Sequence, residues 1–106
     1  MKRNPAVYRS ISSIKRQDKR VRVLGTVVNF DKNEGWLMID NGTGIMEIIF
    51  DDEKWLSNLK VGMIVRVFGR PIFQAEQVSM RGELLQDFSG VDVDLYKKVL
   101  EVMQDV

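Results

Sequence analysis

The sequence predicts a mainly β domain, a five-stranded Greek-key barrel with a basic N-terminal arm and a C-terminal α-helix. Three observations predict it. Five runs rich in β-branched and aromatic residues lie between residues 21 and 88, separated by turn residues. Two of these runs hold an internal glycine, Gly25 and Gly82, as in a strand that bends to serve two sheets. After residue 90 the apolar period changes, with Leu95, Val99, Val102 and Val106 recurring at helical spacing.

Taken in order, residues 1–20 form the arm, with only Pro5, Val7, Ile11 and Ile14 as apolar anchors. An extended stretch is expected there, then one helical turn near Ser12–Arg16 capped by a serine. "VRVLGTVVNF" (21–30) is the first strand, "DKNEG" (31–35) a polar turn and "WLMID" (36–40) the second strand. "NGTG" (41–44) is a hairpin signal, because Asn and Gly both accept positive φ at little cost. The same glycines do not read as a phosphate loop. They are followed by "IMEIIF" (45–50), a β run with no Lys or Ser and no helix start, and this is the third strand. The link "DDEKWLSNLKVG" (51–62) contains helix formers and is expected to hold a helical turn. "MIVRVFGR" (63–70) is the fourth strand, "PIFQ" (71–74) a loop, and Gln77–Asp87 the fifth strand. In the last segment Asp92 is a cap and Asp94 lies in the first turn, where the helix dipole favours an acid. The domain reading is arm 1–20, barrel 21–88 and helix 91–106. Five strands, a long link after the third and a terminal helix match the oligonucleotide/oligosaccharide-binding (OB-fold) barrel.

Composition excludes more chemistry than it suggests. Among 106 residues there is no cysteine and no histidine, so thiolate and imidazole metal sites and Ser-His triads are absent. The three consecutive acids Asp51, Asp52 and Glu53 point in different directions on any regular backbone and read as a solvated loop rather than a cation site. No nucleophile–base pair is identifiable. The expectation is therefore a non-enzymatic protein without cofactor or metal. No apolar run is long enough to span a bilayer, and the N-terminus lacks a secretory apolar region, so a cytoplasmic, nucleoid-associated protein is expected.

Charge is segregated. Residues 1–22 carry eight basic side chains against one acid, Asp18, a net +7, while the rest carry eight basic and 14 acidic, a net −6. A basic end of this kind points to a polyanion or an acidic partner. Single-stranded nucleic-acid binders combine cations with aromatics on which bases stack. If Leu37 and Ile39 face the core, Trp36 and Met38 face outward, and the same parity puts Arg22, Arg66, Phe68 and Arg70 outside. Phe30 and Lys32 flank the first hairpin loop, and Phe73 lies in the loop between the last two strands. With Lys2, Arg3 and Arg9 of the arm, these are the candidate nucleic-acid contacts. Glu47 also faces outward and would repel a phosphate. On the terminal helix, Tyr96, Leu100 and Met103 widen the seam of Leu95, Val99, Val102 and Val106. Such a face serves either its own domain or a partner as well.

The stretches "KRNPAV", "VRVLGTVV", "IDNGTG", "VGMIVRVFGR" and "GELLQDFSGVDVDLYKKV" span most of the chain. In these the sequence resembles the small subunit of archaeal replication protein A, the heterotrimeric single-stranded DNA-binding complex of replication and repair. "VGxxVRVxGR" and "DNGTG" are similar to a wider group that includes the eukaryotic middle subunit and telomere-capping relatives. The resemblance implies a barrel whose terminal helix joins helices of two larger subunits, here through Leu95, Tyr96, Val99, Leu100, Val102, Met103 and Val106. It also implies that this subunit acts mainly in assembly, with weak or auxiliary single-stranded DNA contact. Without partners, a free helix of this kind is expected to drive self-association. Two other readings stand beside it: an RNA- or tRNA-binding barrel, and a protein–protein adapter with no nucleic-acid affinity. The link at 51–60 is longer than the family pattern, and its Trp55 is either a plug for the barrel end or an added contact.

Overall fold

Alternation dictates the architecture. In the computed structural model, which describes residues 6–90, 94–95 and 98, six strands are formed among the described residues. They are β1 (Val7–Tyr8), β2 (Val21–Asp31), β3 (Trp36–Asp40), β4 (Ile45–Ile49), β5 (Ile64–Gln74) and β6 (Gln77–Asp87). The last five close into a ring in the order β2-β3-β4-β6-β5, sealed by β5 pairing back onto β2. Strand β2 pairs with β5 from Val21 to Thr26 and with β3 from Thr26 to Asp31, so it changes partner beside Gly25, where a bend was expected. This is the OB-fold barrel read from the sequence.

Every second residue of the ring points inward. Val21, Val23, Val27, Leu37, Ile39, Met46, Ile48, Val65, Val67 and Met80 are fully buried. Each such aliphatic stabilises the fold by about 1.5–3 kcal/mol through area removed from water. Past the C-terminal end of β4, the link forms a 3₁₀ turn, Glu53–Leu56, whose N-cap Asp52 accepts a bond from the Lys54 N–H. Leu56 and Leu59 enter the core there, and Trp55 packs on it with its ring 6.1 Å from that of Phe50. Leu56 is fully buried at this end of the barrel, and Trp55 covers it from outside, partly buried. The Phe50 ring in turn lies against Gly82, where a Cβ would stand 2.4 Å from its Cζ. At the other end, just before β4, Ile11 is buried against Gly44.

The structure corrects the sequence reading in four places. The arm is a built part of the domain from residue 6 onward: β1 pairs in parallel with β2, Val7 with Val21 and Tyr8 with Arg22. It fills the stretch of β2 edge that β3 leaves free. The helical turn lies at Ile11–Ser13, earlier than expected, and the Ser10 side chain bonds to the Ser13 hydroxyl rather than to a backbone N–H. "PIFQ" is strand, not loop. Pro71 sits beyond the last β2–β5 pair, Val21 with Gly69, where β5 has a free edge and tolerates a missing N–H. The reversal falls instead at Ala75–Glu76, with Ala75 at φ 55°. The "NGTG" turn also works differently. Only Gly42 takes positive φ, while the Asn41 side chain accepts from the Thr43 N–H and hydroxyl at 3.0 and 2.7 Å.

Of the C-terminal segment, Asp94, Leu95 and Lys98 have helical backbone. The remaining positions assigned to the helix, Tyr96, Val99, Leu100, Val102, Met103 and Val106, lie outside the described residues. So do Lys2 and Arg3.

Candidate nucleic-acid interface

The ring order places β5 across the barrel from the β3–β4 pair, and this separates the candidate residues into two groups. On the β3–β4 wall the outward residues are Trp36, Met38 and Asp40, facing Ile49, Glu47 and Ile45 in register. A groove of about 580 Å³ opens over this wall, floored by Met38, Ile45 and Glu47. Its far side is the distal part of the β5–β6 hairpin, which runs past the last contact with β2 and brings Phe73, Val78 and Ser79 to the groove. The arm supplies the third side, through Ile11, Ser12 and Ile14.

Specific contacts hold the arm in that position. The Ser12 N–H donates to Thr43 Oγ1 at 3.1 Å, on the β3–β4 turn. Arg16 Nη2 donates to the Ala75 carbonyl at 3.0 Å, on the β5–β6 turn, and its guanidinium lies 5.0 Å from the centre of the Phe73 ring. Between these points the arm is folded on itself. Arg9 Nε and Nη2 donate to the two Asp18 oxygens at 3.1 and 3.2 Å, and the Lys15 N–H donates to Asp18 Oδ2 at 2.8 Å. The Arg9 hydrogen bonds hold the Asp18 carboxyl below the ordinary carboxylate range, against the opposing effect of burial.

The opposite wall carries Arg22, Arg66, Phe68 and Arg70, of which Arg66 is engaged with its neighbours and Arg70 is largely exposed. Arg66 Nε donates to Gln86 Oε1 at 2.8 Å, and Nη2 reaches the same oxygen. The guanidinium lies 4.5 Å from the Phe88 ring centre and 5.2 Å from that of Phe68. Glu83 accepts from Arg20 at 2.9 Å and faces Arg70 Nε at 3.6 Å. Leu24, outward by parity, is only 2% exposed. Arg22 Nε is buried without a hydrogen-bond partner among the described residues.

The predicted residues are therefore not one surface. Trp36 and Phe73 belong to the groove side, while Arg22, Arg66, Phe68 and Arg70 belong to the wall across the barrel. Phe30 packs partly buried against the core, Lys32 is exposed in the β2–β3 turn, and Arg9 is engaged with Asp18. Sequence reading missed Arg16, Ile45, Val78 and Ser79. Arg16 had a signal in the basic arm, but what aims it lies 59 residues away at Ala75. The acidic link is likewise accounted for. Asp51 takes Arg81 Nη1 at 2.7 and 2.9 Å, raising the affinity of that guanidinium for its proton, and Asp52 caps Lys54. Hydrogen bonds from Ser89 lower the pKa of Asp87. Among the described residues no group of three acids is placed to hold a metal ion, and no helix is long and apolar enough to cross a membrane.

No protein-family model and no curated protein matches the sequence. Solved structures do resemble the fold. Telomere capping protein Ten1 from Saccharomyces pombe aligns with TM-score 0.76 at 17% identity, over 96% of this chain and 100% of that one. A chain of the S. pombe Stn1–Ten1 complex aligns with TM-score 0.74 at 18% identity, over 96% and 94%. A chain of a replication protein A heterotrimer bound to single-stranded DNA aligns with TM-score 0.66 at 16% identity, over 82% and 71%. At such identities the likeness is one of fold. The class defined is a single OB-fold barrel of the kind found in these assemblies.

Proposed function

We propose that this chain is a non-enzymatic small subunit of a replication protein A-like single-stranded DNA-binding complex of the archaeal type, acting in DNA replication and repair inside the cell. The observation that carries this reading is a closed OB-fold barrel whose open groove is walled by a cationic arm, with Arg16 held over Phe73 at its rim. In this reading residues 91–106 form the helix that binds two larger subunits, and the barrel makes an auxiliary DNA contact. The solved structures of similar fold support it, being a telomere capping protein, its complex and a heterotrimer bound to single-stranded DNA.

Co-expression with candidate larger subunits tests the assembly role. Removing residues 92–106 is expected to abolish co-purification, and a complex that survives the deletion defeats the helix assignment. Titration with fluorescent oligo-dT at low and moderate salt tests the DNA role, because phosphate contact weakens as salt rises. A second reading, an adapter without nucleic-acid affinity, draws on the pairing of Arg9 with Asp18 and of Arg20 with Glu83, which offsets part of the arm's charge. Binding that stays undetectable at low salt selects it. Preference for structured RNA over oligo-dT selects an RNA-binding barrel instead.

A further inference from the structure

Glu47 stands on the floor of the groove, half-buried and opposite Met38 in the β3–β4 register. Among the described residues it has no hydrogen bond and no ion pair, whereas Asp51 is taken by Arg81 and, on the opposite wall, Glu83 by Arg20. A carboxylate is an acceptor only, so this position calls for a donor from outside. Its neighbours on the floor and walls, Met38, Ile45, Phe73, Val78 and Ser79, are apolar or neutral, and a second carboxylate, Glu76, lies at the rim in the β5–β6 turn. A phosphate would be repelled there. A flat, largely apolar body with an N–H on its edge would be accepted.

We infer that this groove discriminates among the bases of a single strand, with Glu47 accepting from the exocyclic amino group of cytosine, adenine or guanine and disfavouring thymine and uracil. The inference rests on the proposed nucleic-acid role and names what the site selects. At ring position 4 cytosine presents an N4 donor where thymine presents an O4 acceptor. Thymine can still donate its N3–H to a carboxylate, so the discrimination is a preference set by repulsion at O4 and not an exclusion. The phosphates then run along the rim, where Arg16 is exposed beside the Phe73 ring and Lys15 and Lys19 are exposed on the arm. Bases face the floor and charge stays at the edge, so one groove accommodates a polyanion and an unpaired carboxylate together.

The test compares short fluorescent oligo-dC and oligo-dT on the full chain near neutral pH, with the Glu47→Gln variant alongside. Wild-type protein is expected to bind oligo-dC about five- to tenfold more tightly than oligo-dT. In E47Q, whose amide can both donate and accept, that ratio is expected to fall to about one, with the melting temperature unchanged. Equal wild-type affinities for the two oligonucleotides overturn the inference and leave the DNA-binding reading standing. A variant that binds both more tightly, with the wild-type ratio retained, also overturns it, because Glu47 then acts only by repelling the strand. No detectable binding of either at low salt overturns both proposals. The wild-type ratio needs no variant, so the inference is testable even if E47Q fails to fold.

Discussion

The β3–β4 wall and the β2–β5–β6 wall follow the same rule, one residue in and the next out, yet their outward residues have different fates. Across the barrel from the groove, Arg66 is held by Gln86 and lies over two phenylalanine rings, and Leu24 is sealed from solvent. On the groove side Ile45 is 58% exposed and Glu47 is unpaired among the described residues. Outward direction is a property of a strand, whereas availability to a ligand is a property of the neighbouring strands.

Substitutions that separate the walls sharpen this comparison, and the largest effect should come where the walls share a support. Gly82→Ala drives a Cβ into the Phe50 ring and is expected to destabilise the whole barrel by about 3 kcal/mol, read by denaturant unfolding. A change under about 0.5 kcal/mol would mean the ring moves aside. Arg66→Ala strips the occupied wall of its hydrogen bond and ring contacts and should cost about 1–2 kcal/mol of stability. Oligo-dT affinity is expected to stay within about twofold, because the residue serves packing rather than phosphate contact. A larger loss of affinity than of stability would return Arg66 to the binding site.

The arm gives a smaller, pH-dependent effect. The folded-state pKa of Asp18 lies below its ordinary value, so its contribution is fully present above about pH 4 and is lost as pH falls through the folded value. The melting-temperature difference between wild type and Asp18→Asn should be constant near neutrality and close progressively below about pH 4. A difference that persists unchanged at low pH would show that the Arg9 contact acts through packing alone. Arg16→Ala should affect stability least, by under about 1 kcal/mol, since the side chain is exposed. It should instead lower the salt dependence of oligo-dT binding by about one ion. No change in that slope would remove Arg16 from the phosphate path.

Local pattern carried the strands and their parity. Leu37 and Ile39 went inside as their alternation required, and the partner exchange near Gly25 was readable from a glycine inside an apolar run. Three things were not readable. Pro71 is a poor strand residue except on a free edge, and whether an edge is free depends on where β2 stops pairing with β5. Val7–Tyr8 is too short for any periodicity to declare it a strand. The division of Trp36 from Arg66 follows from the order in which the ring closes. Such closure is a relation between residues far apart in sequence, invisible to a window of ten.

The ring closes through the parallel pairing of Ile48 with Met80 and Ile49 with Arg81. During synthesis, therefore, the β2–β3–β4 meander emerges first and waits as an open sheet with bare edges on β2 and β4. Such edges recruit other strands, and non-local parallel pairing forms slowly. A fragment ending at Gln74 should accordingly aggregate, whereas one ending at Gly90 should remain monodisperse if closure alone protects the edges. The two-residue seam at Met80–Arg81 is thus the pairing for which the emerging chain must wait longest.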